Sequence, residues 1–378
     1  MSVPNVLGAV AGGLLVVLAW GSVLSVLVVP RRTRNQLNRV MFEVVEWFFR
    51  FVAHRLRGYA LRDRWLAWQG PSLIMVQLAA WLAIFYVGYA LIINAIQVDS
   101  VAHAFAQSGS SLFTLGYAGP QGASLNIVDY LAAATGLIVV ALQIGYLPTL
   151  YGAFNRRETE VRLLFGRAGV PAWGPEILAR TRFGFTADDH GAVMDDFYLR
   201  WERWAADLSE SHTNYPVLTL LRSPLRLSSW LVAIVAVMDS AALWLALAPG
   251  SAPVTEARLA LRMGFTALRA VADSLGMETD RDPDPDAALQ LSYDAYLDGV
   301  GRIFETSFRT ERTAEEAWPD FRGWRVNYEA IAYKLAARLD AVPAPWTGPR
   351  LTGDAEIEPI RPPNRTPTPY QQQDDPSS

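Results

Sequence analysis

Apolar side chains fill three long stretches in the first half of the chain, at 6–29, 71–96 and 127–154. Each is long enough to supply the roughly 20 residues with which a helix crosses the hydrocarbon core of a bilayer. The pattern therefore predicts an all-α membrane protein. The first stretch is expected to be a retained N-terminal span within 1–30. A cleaved signal peptide is the alternative, but positive charges follow this stretch at 31–34 instead of preceding it.

The segment 31–70 is predicted to contain an amphipathic helix. From 35 to 58, apolar residues recur every three or four positions, with arginine and glutamate between them. With Trp47 among its apolar residues, such a helix would suit the cytoplasmic headgroup layer of a membrane. A helix packed against a neighbouring domain gives the same pattern, so both interpretations stay open.

The distribution of arginine predicts the orientation of the spans. No lysine or arginine occurs from 71 to 155, whereas Arg62 and Arg64 precede this block and Arg156 and Arg157 follow it. Because positive flanks stay in the cytoplasm, 71–155 is expected to be a hairpin of two spans with its connection outside. The N-terminus would also lie outside. The basic residues are almost all arginine and alanine is abundant, which is typical of a GC-rich bacterial genome, so the expected location is a bacterial plasma (inner) membrane.

The second half of the chain has a different pattern. Helical periodicity with charged faces predicts a cytoplasmic helical domain over 156–344. Its expected helices are 188–208, 254–275, 287–308 and 314–339. The segment 345–378 is rich in proline and polar residues, so a disordered tail is expected there.

One segment of this half, 228–248, is apolar on every face and about long enough to span a membrane. Asp239 at its centre would cost about 2.5–3.5 kcal/mol on membrane-insertion scales. That penalty favours a buried core helix over a fourth span, which stays open as the alternative.

The amino-acid composition limits the kinds of binding and catalytic site that the chain can contain. Hydrophobic residues make up 51% of the chain and cysteine is absent, which excludes disulfides and thiolate metal sites. The net charge of −4 and the lack of a basic cluster in the C-terminal half argue against a nucleic-acid partner. No phosphate-binding loop is present, and the acidic clusters near Asp188 and at 280–286 lack metal-ligand spacing. We expect no metal site, no organic cofactor and no enzymatic activity.

The connection between the second and third spans contains an unusual turn, SLFTLGYAGP, at 111–120. The preceding residues 101–113 can form a short helix capped by Asp99 or Ser100. That helix would enter the membrane from outside and point the negative end of its dipole at the interior. Irregular backbone at membrane depth is tolerated only where protein buries it or where it lines a water-filled path.

This order of span, re-entrant helix, Thr-Leu-Gly-Tyr and span resembles the pore module of tetrameric potassium channels, whose filter reads Thr-Val-Gly-Tyr-Gly. The resemblance covers 71–154. It implies a homotetramer in the lipid bilayer with K⁺ as the transported ion, whose hydration shell backbone carbonyls replace. The implied filter residues are Thr114, Leu115, Gly116, Tyr117 and Ala118. The chain departs from the family pattern at Ala118, where the family has a second glycine.

Further positions are candidates for roles in such a pore. Asp99 and Asp129 flank the turn and could either concentrate cations at a pore mouth or simply cap helices. Gly145 and Pro148 could form a gating hinge, or a static kink with packing glycines. No span carries the regular arginines of a voltage sensor. Gating is therefore expected to fall to the cytoplasmic domain, through a ligand or partner that the sequence does not identify.

The sequence thus favours the pore-forming subunit of a homotetrameric, potassium-conducting cation channel. Its fold would be a potassium-channel-like pore module with an extra N-terminal span and a helical cytoplasmic domain. The alternative is a non-conducting membrane sensor or scaffold with a degenerate pore fold, which the substitution at Ala118 would favour. A chance turn in an external loop and a membrane enzyme are the remaining alternatives.

Overall fold

Helices are the regular elements of the described part of the chain, with one isolated antiparallel bridge between Val170 and Ile360. The computed structural model describes residues 3–29, 35–96, 100–119, 123–180, 190–306 and 308–361. The expectation of an all-α protein is confirmed. The helices are α1 Val3–Leu27, α2 Gln36–Ala53, α3 Tyr59–Leu66, α4 Gln69–Ile96, α5 Val101–Leu112, α6 Ala123–Ala168, α7 Gly174–Ala179, α8 His190–Asn214, α9 Trp230–Leu247, α10 Val254–Ser274, α11 Tyr293–Phe304, α12 Ala314–Arg325 and α13 Glu329–Arg338, and Pro216–Leu220 forms a 3-10 turn.

Four helical stretches are long and apolar enough to cross a membrane. Three of them correspond to the predicted spans: α4 and α6 contain 71–96 and 127–154, and α1 covers the span predicted at 6–29 except for its last two residues. Most residues in their apolar windows are not buried within the chain, so apolar faces are left for lipid or for other protein chains. The helices are therefore those of a membrane protein.

The fourth apolar helix, α9, is enclosed instead. All 18 of its residues are buried, and α7, α10, α12 and α13 pack around it. A helix without an exposed face has no surface to offer lipid. The structure thus favours the buried-core interpretation of 228–248 over a fourth span.

The chain divides into two compact units. Unit 1 comprises Met1–Arg156 and Glu210–Arg222, and unit 2 comprises Arg157–Ser209 and Ser223–Ser378. The division falls within α6. The segment 210–222, which the sequence pattern assigned to the C-terminal domain, belongs to unit 1.

Small residues let α1 and α4 approach closely in unit 1. A Cβ atom added at Gly88 would lie 2.9 Å from Val16 Cγ2, and Gly12 faces the Gly88 carbonyl. Polar contacts extend this packing to α2. Trp81 Nε1 donates to Ser22 Oγ at 2.8 Å, and that hydroxyl donates to Asn38 Oδ1 at 2.6 Å.

The predicted amphipathic helix is α2, and it ends earlier than the pattern suggested. Asn35 caps it by accepting a hydrogen bond from the Leu37 N–H at 3.0 Å. Met41 and Phe49 are buried, whereas Trp47 is exposed. The chain leaves the helix after Ala53 and begins α3 at Tyr59. Exposed apolar side chains therefore remain on α2, as a helix at a membrane surface or an interface requires.

The segment 210–222 is fixed within unit 1 by an ion pair and by ring packing. Arg222 Nη1 donates to Asp63 Oδ1 at 2.9 Å. The rings of Tyr215 and Tyr146 meet edge to face with centroids 5.7 Å apart. The segment thus contacts α3 and α6.

A buried ion network lies in the core of unit 2. The Arg325 guanidinium pairs with Asp239 of α9 and, at 2.9 Å, with Glu329 Oε1. It also donates to the Trp346 carbonyl at 2.7 Å and to the Tyr333 hydroxyl at 3.0 Å. Asp239, which seemed costly for a membrane span, therefore has a buried cationic partner.

Several sequence-based boundaries in unit 2 are wrong. The expected helix 188–208 continues to Asn214 as α8, and the expected helix 287–308 is the shorter α11, Tyr293–Phe304, which Ser292 caps. The expected helix 314–339 is interrupted after Arg325, where the turn lets the Tyr328 hydroxyl donate to Asp239 Oδ1 at 2.6 Å. The expected disorder does not begin at 345. Trp346 is buried and donates to the Ala295 carbonyl at 3.1 Å, so an aromatic anchor and its hydrogen bonds outweigh the proline-rich composition. The remainder of the tail, 362–378, lies outside the described residues.

Candidate ion site at the turn between α5 and α6

The short helix α5 is held against α4. Ser100 caps its N-terminus by accepting from the His103 N–H at 3.2 Å. Ser108 Oγ donates to the Tyr86 carbonyl at 2.8 Å, and the Phe105 ring meets the Tyr86 ring edge-on at 5.3 Å. These contacts fix both the start of α5 and one of its faces.

Contacts with α6 fix a second face of α5. Asp129 accepts hydrogen bonds from Gln107 Nε2 at 3.0 Å and from Ser111 Oγ at 2.8 Å. At the end of α5, the Leu112 carbonyl approaches Gly136 so closely that a Cβ atom there would clash with it. The C-terminus of α5 is therefore tightly placed between the two long helices of the hairpin.

After α5 the backbone enters the left-handed region twice. Thr114 has φ +55° and Gly116 has φ +72°. For Gly116 this conformation has little steric cost, whereas for a β-branched threonine it is an outlier that costs about 1–2 kcal/mol. Such strain persists only where the surroundings enforce it, and it is concentrated at functional sites.

The backbone N–H groups of the turn point back to the end of α5. The N–H groups of Leu115 and Gly116 both point to the Ser110 carbonyl, at 2.8 and 3.5 Å. The Thr114 N–H donates to the Ser111 carbonyl at 3.0 Å, and the Ala118 N–H donates to Ser110 Oγ at 3.0 Å. Ser110 therefore holds the turn at two points.

The carbonyl groups of the same residues have no such partners. Within the described residues, no hydrogen bond is donated to the carbonyl oxygens of residues 114–117. These four residues are also exposed. Consecutive backbone oxygens without donors can replace the hydration shell of a monovalent cation.

Ala118 stands where the resembling family has a second glycine, and a left-handed backbone at this position would strain an alanine. Ala118 does not have a positive φ, and Thr114 does. The Ala118 N–H reaches Ser110 without the left-handed conformation that would disfavour a Cβ atom.

The other predicted site residues differ in how they relate to the turn. Asp129 is only 8% exposed and is hydrogen-bonded to α5, a third role beside the mouth and cap roles considered above. Asp99 lies outside the described residues. Gly145 and Pro148 lie within α6, which continues as helix through both. Their hinge role stays a prediction.

The supporting residues Gln107 and Ser110 were missed by the sequence analysis. The signal was present, since α5 carries a run of polar side chains inside an apolar hairpin. Polar residues at membrane depth are costly and are typically functional. That run consists of Gln107, Ser108, Ser110 and Ser111.

No group of three or more potential metal-ligating side chains occurs among the described residues. The turn offers backbone oxygens, which bind hard cations by replacing their hydration shell.

Comparison with protein-family models, with curated proteins and with solved structures finds no match to this chain.

Proposed function

We propose that the chain is the pore-forming subunit of a homotetrameric cation channel that conducts potassium passively. The ions would pass along the carbonyl oxygens of residues 114–117. The proposal combines the resemblance of 71–154 to potassium-channel pore modules with the geometry of the turn. Its setting would be a bacterial inner membrane, with unit 2 in the cytoplasm.

The observation that carries the proposal is the division of the turn's polar groups. The N–H groups of Thr114, Leu115, Gly116 and Ala118 are bonded to Ser110 or Ser111, whereas the carbonyls of residues 114–117 have no donor within the described residues. In a membrane, carbonyl groups without partners are unfavourable unless water or an ion contacts them. A conducted cation would satisfy them while being held weakly enough to leave.

Exposed apolar side chains support the assembly of several copies. Leu115 is 64% exposed and Tyr117 is 66% exposed, directly beside the carbonyl row. Packing against further copies of the chain would bury this apolar surface. One chain contributes one such turn, so a ring of carbonyls needs further copies, and the resembling family uses four.

Segment 210–222 suggests how unit 2 could act on the pore. The helix α8 begins at His190 in unit 2, and its last residues belong to unit 1. There Tyr215 packs on Tyr146, which is two residues before Pro148 in α6. Movement of α8 would thus be transmitted to the proposed hinge.

The test is ion flux from liposomes that contain the purified protein, under potassium, sodium and chloride gradients. Gly116→Ala introduces a Cβ atom at a positive φ, whereas Gly119→Ala introduces one where φ is not in that range. Neither Cβ atom would meet another atom within 4 Å, so the pair differs in backbone strain and not in space.

We expect potassium flux above sodium flux in the wild type and in Gly119→Ala, and loss of selective flux in Gly116→Ala. Equal potassium and sodium flux would show that the protein is a non-selective cation pore and not a potassium channel. Absence of flux in all proteins, including a variant with Tyr215→Ala that loosens the contact with α6, would favour the non-conducting sensor.

A further inference from the structure

Asp129 is a buried carboxylate whose hydrogen-bond donors are neutral. It lies near the start of α6, is 8% exposed, and accepts from Gln107 and Ser111 at 3.0 and 2.8 Å. These two donors are four residues apart on α5, so they lie on the same face of that helix. The carboxylate is therefore fixed against the side of α5.

The surrounding hairpin provides no lysine or arginine to balance this charge. None occurs between residues 71 and 155, and Asp129 forms no ion pair within the described part of the chain. The ionisable side chain on α5 is His103. An ionised carboxylate shielded from water is unfavourable unless a cation lies near it. Within the described residues, no basic side chain is paired with Asp129 to balance a negative charge there.

Asp129 is linked to the turn through one residue. The Ser111 hydroxyl donates to Asp129, and the Ser111 carbonyl accepts the Thr114 N–H at 3.0 Å. The carbonyls of residues 114–117 follow directly. The carboxylate thus lies behind the same turn that leaves its carbonyl oxygens without donors.

We propose that Asp129 supplies the fixed negative charge that balances the cation bound by the carbonyls of residues 114–117, and so sets the affinity of the turn for potassium. This inference rests on the proposed function. It makes Asp129 a positioning and affinity-setting residue that acts from behind the turn without contacting the ion. In a tetramer, four such charges would surround one ion path and raise its occupancy.

Asp129→Asn tests the charge of Asp129 independently of its hydrogen bonds, because asparagine is neutral but can still form hydrogen bonds. Asparagine keeps one carbonyl acceptor, and its amide can donate to Gln107 Oε1, a buried oxygen that has no partner in the structure. We therefore expect the variant to fold. At an effective dielectric constant of about 20, a unit charge within about 10 Å of a bound cation changes its binding constant roughly tenfold or more, and this is the size of effect that the proposal requires.

The experiment measures the thermal unfolding midpoint of the detergent-solubilised full chain as potassium replaces an organic cation at constant ionic strength. Bound potassium raises the midpoint, and the potassium concentration at half of this rise reports affinity without requiring an open gate. We expect that concentration to increase at least tenfold in Asp129→Asn. Asp129→Glu, which keeps the charge, should stay within about threefold of the wild type.

Glu46→Gln is the matched control. Glu46 is a buried carboxylate of the same unit, 6% exposed, but it has a cation on its own helix, since Arg50 lies 3.7 Å away. This change should lower the unfolding midpoint at every potassium concentration and leave the half-rise concentration unchanged.

Two results would separate the inference from the proposed function. If potassium stabilises the wild type, Gly116→Ala removes this effect, and Asp129→Asn only lowers stability uniformly, then Asp129 is structural and the inference fails while the ion site stands. If potassium stabilises none of the proteins beyond the effect of the organic cation, the ion site and the inference both fail.

Discussion

The Ser110 hydroxyl accepts the Ala118 N–H at 3.0 Å and thereby joins the last turn of α5 to the far end of the Thr-Leu-Gly-Tyr segment. The Ser110 carbonyl also accepts the Leu115 N–H at 2.8 Å, so one residue contacts the turn at Leu115 and at Ala118. The contact at Ala118 depends on the Ser110 side chain. This arrangement also explains how alanine is accommodated where the resembling channels have glycine.

The first prediction follows from this contact. Ser110→Ala removes the bond to Ala118 but keeps the carbonyl bond to Leu115, so the outer part of the turn loosens. We expect potassium flux to persist and the ratio of potassium to sodium permeability to fall several-fold. The measurement is the zero-current potential of reconstituted bilayers under opposing potassium and sodium gradients.

Ser108→Ala is the matched control for that change. Ser108 is also buried on α5, but its hydroxyl donates to the Tyr86 carbonyl of α4 and not to the turn. This variant should lose about 1 kcal/mol of stability and keep its permeability ratio. If both serine variants lowered the ratio equally, the turn would depend on the general placement of α5 and not on Ser110.

The second prediction concerns coupling through segment 210–222. Tyr215→Ala removes the ring that packs on Tyr146, with centroids 5.7 Å apart, so α6 should respond less to unit 2. We expect the open probability in single-channel recordings to change while the conductance and the permeability ratio stay constant. Tyr215→Phe keeps the ring and should behave as the wild type. A change in conductance in Tyr215→Ala would instead place this contact in the ion path.

The sequence predicted the hairpin and its turn because their signals are local. Long apolar runs and the string Thr-Leu-Gly-Tyr are visible without knowledge of packing, and α4, α5 and α6 lie where these patterns indicated. The support of the turn was not visible in this way. The contact of Gln107 with Asp129 joins residues 22 positions apart, and no local pattern shows which polar side chains meet.

Long-range pairing also determines features of unit 2 that no local pattern shows. Asp239 is an isolated charge in an apolar run of the sequence, and its partner Arg325 lies 86 residues away. The buried position of Trp346 depends on that same network, since its carbonyl accepts from Arg325. The composition of a segment gives no information about such a contact, so it cannot show that the segment around Trp346 is ordered.

The third prediction is a pH dependence in unit 2. Glu176 is fully buried and pairs with Arg180, with Arg302 at 2.8 Å and with Arg361 at 3.1 Å. Burial alone would raise the pKa of Glu176, but hydrogen bonds from Arg302 and Arg180 and the charges of Arg302 and Arg361 outweigh it. The pKa of this carboxyl is therefore lowered.

A lowered pKa in the folded state fixes the sign of the effect. The stabilisation by Glu176 is fully present above the ordinary glutamate pKa of about 4.3 and is lost as the pH falls through the lower folded-state value. Glu176→Gln should cost about 3 kcal/mol at pH 7, because it leaves the buried Arg180 without its carboxylate. The difference from the wild type should shrink below about pH 4, as measured by thermal unfolding across the pH range.

Glu305→Gln provides the comparison for this prediction. Glu305 pairs with the same Arg302, at 3.1 Å, but its side chain is 68% exposed. Exposed ion pairs contribute about 0–1 kcal/mol, so this variant should follow the wild-type curve. Parallel curves for Glu176→Gln and the wild type from pH 7 to pH 3 would show that the carboxylate charge of Glu176 does not stabilise unit 2.

The last prediction concerns the position of α9 relative to the membrane. A helix that is buried on every face within unit 2 needs no lipid, so both of its ends should lie on the same side of the bilayer. Because the chain contains no cysteine, single cysteines report accessibility without background.

Leu225→Cys and Ser251→Cys place exposed thiols before and after α9. We expect both to react with a membrane-impermeant maleimide in inside-out vesicles and neither to react in right-side-out vesicles, whereas Ser240→Cys within α9 should react only after unfolding. Labelling of Leu225→Cys and Ser251→Cys from opposite sides would make α9 a fourth span, and Asp239 and Arg325 would then form their ion pair at membrane depth.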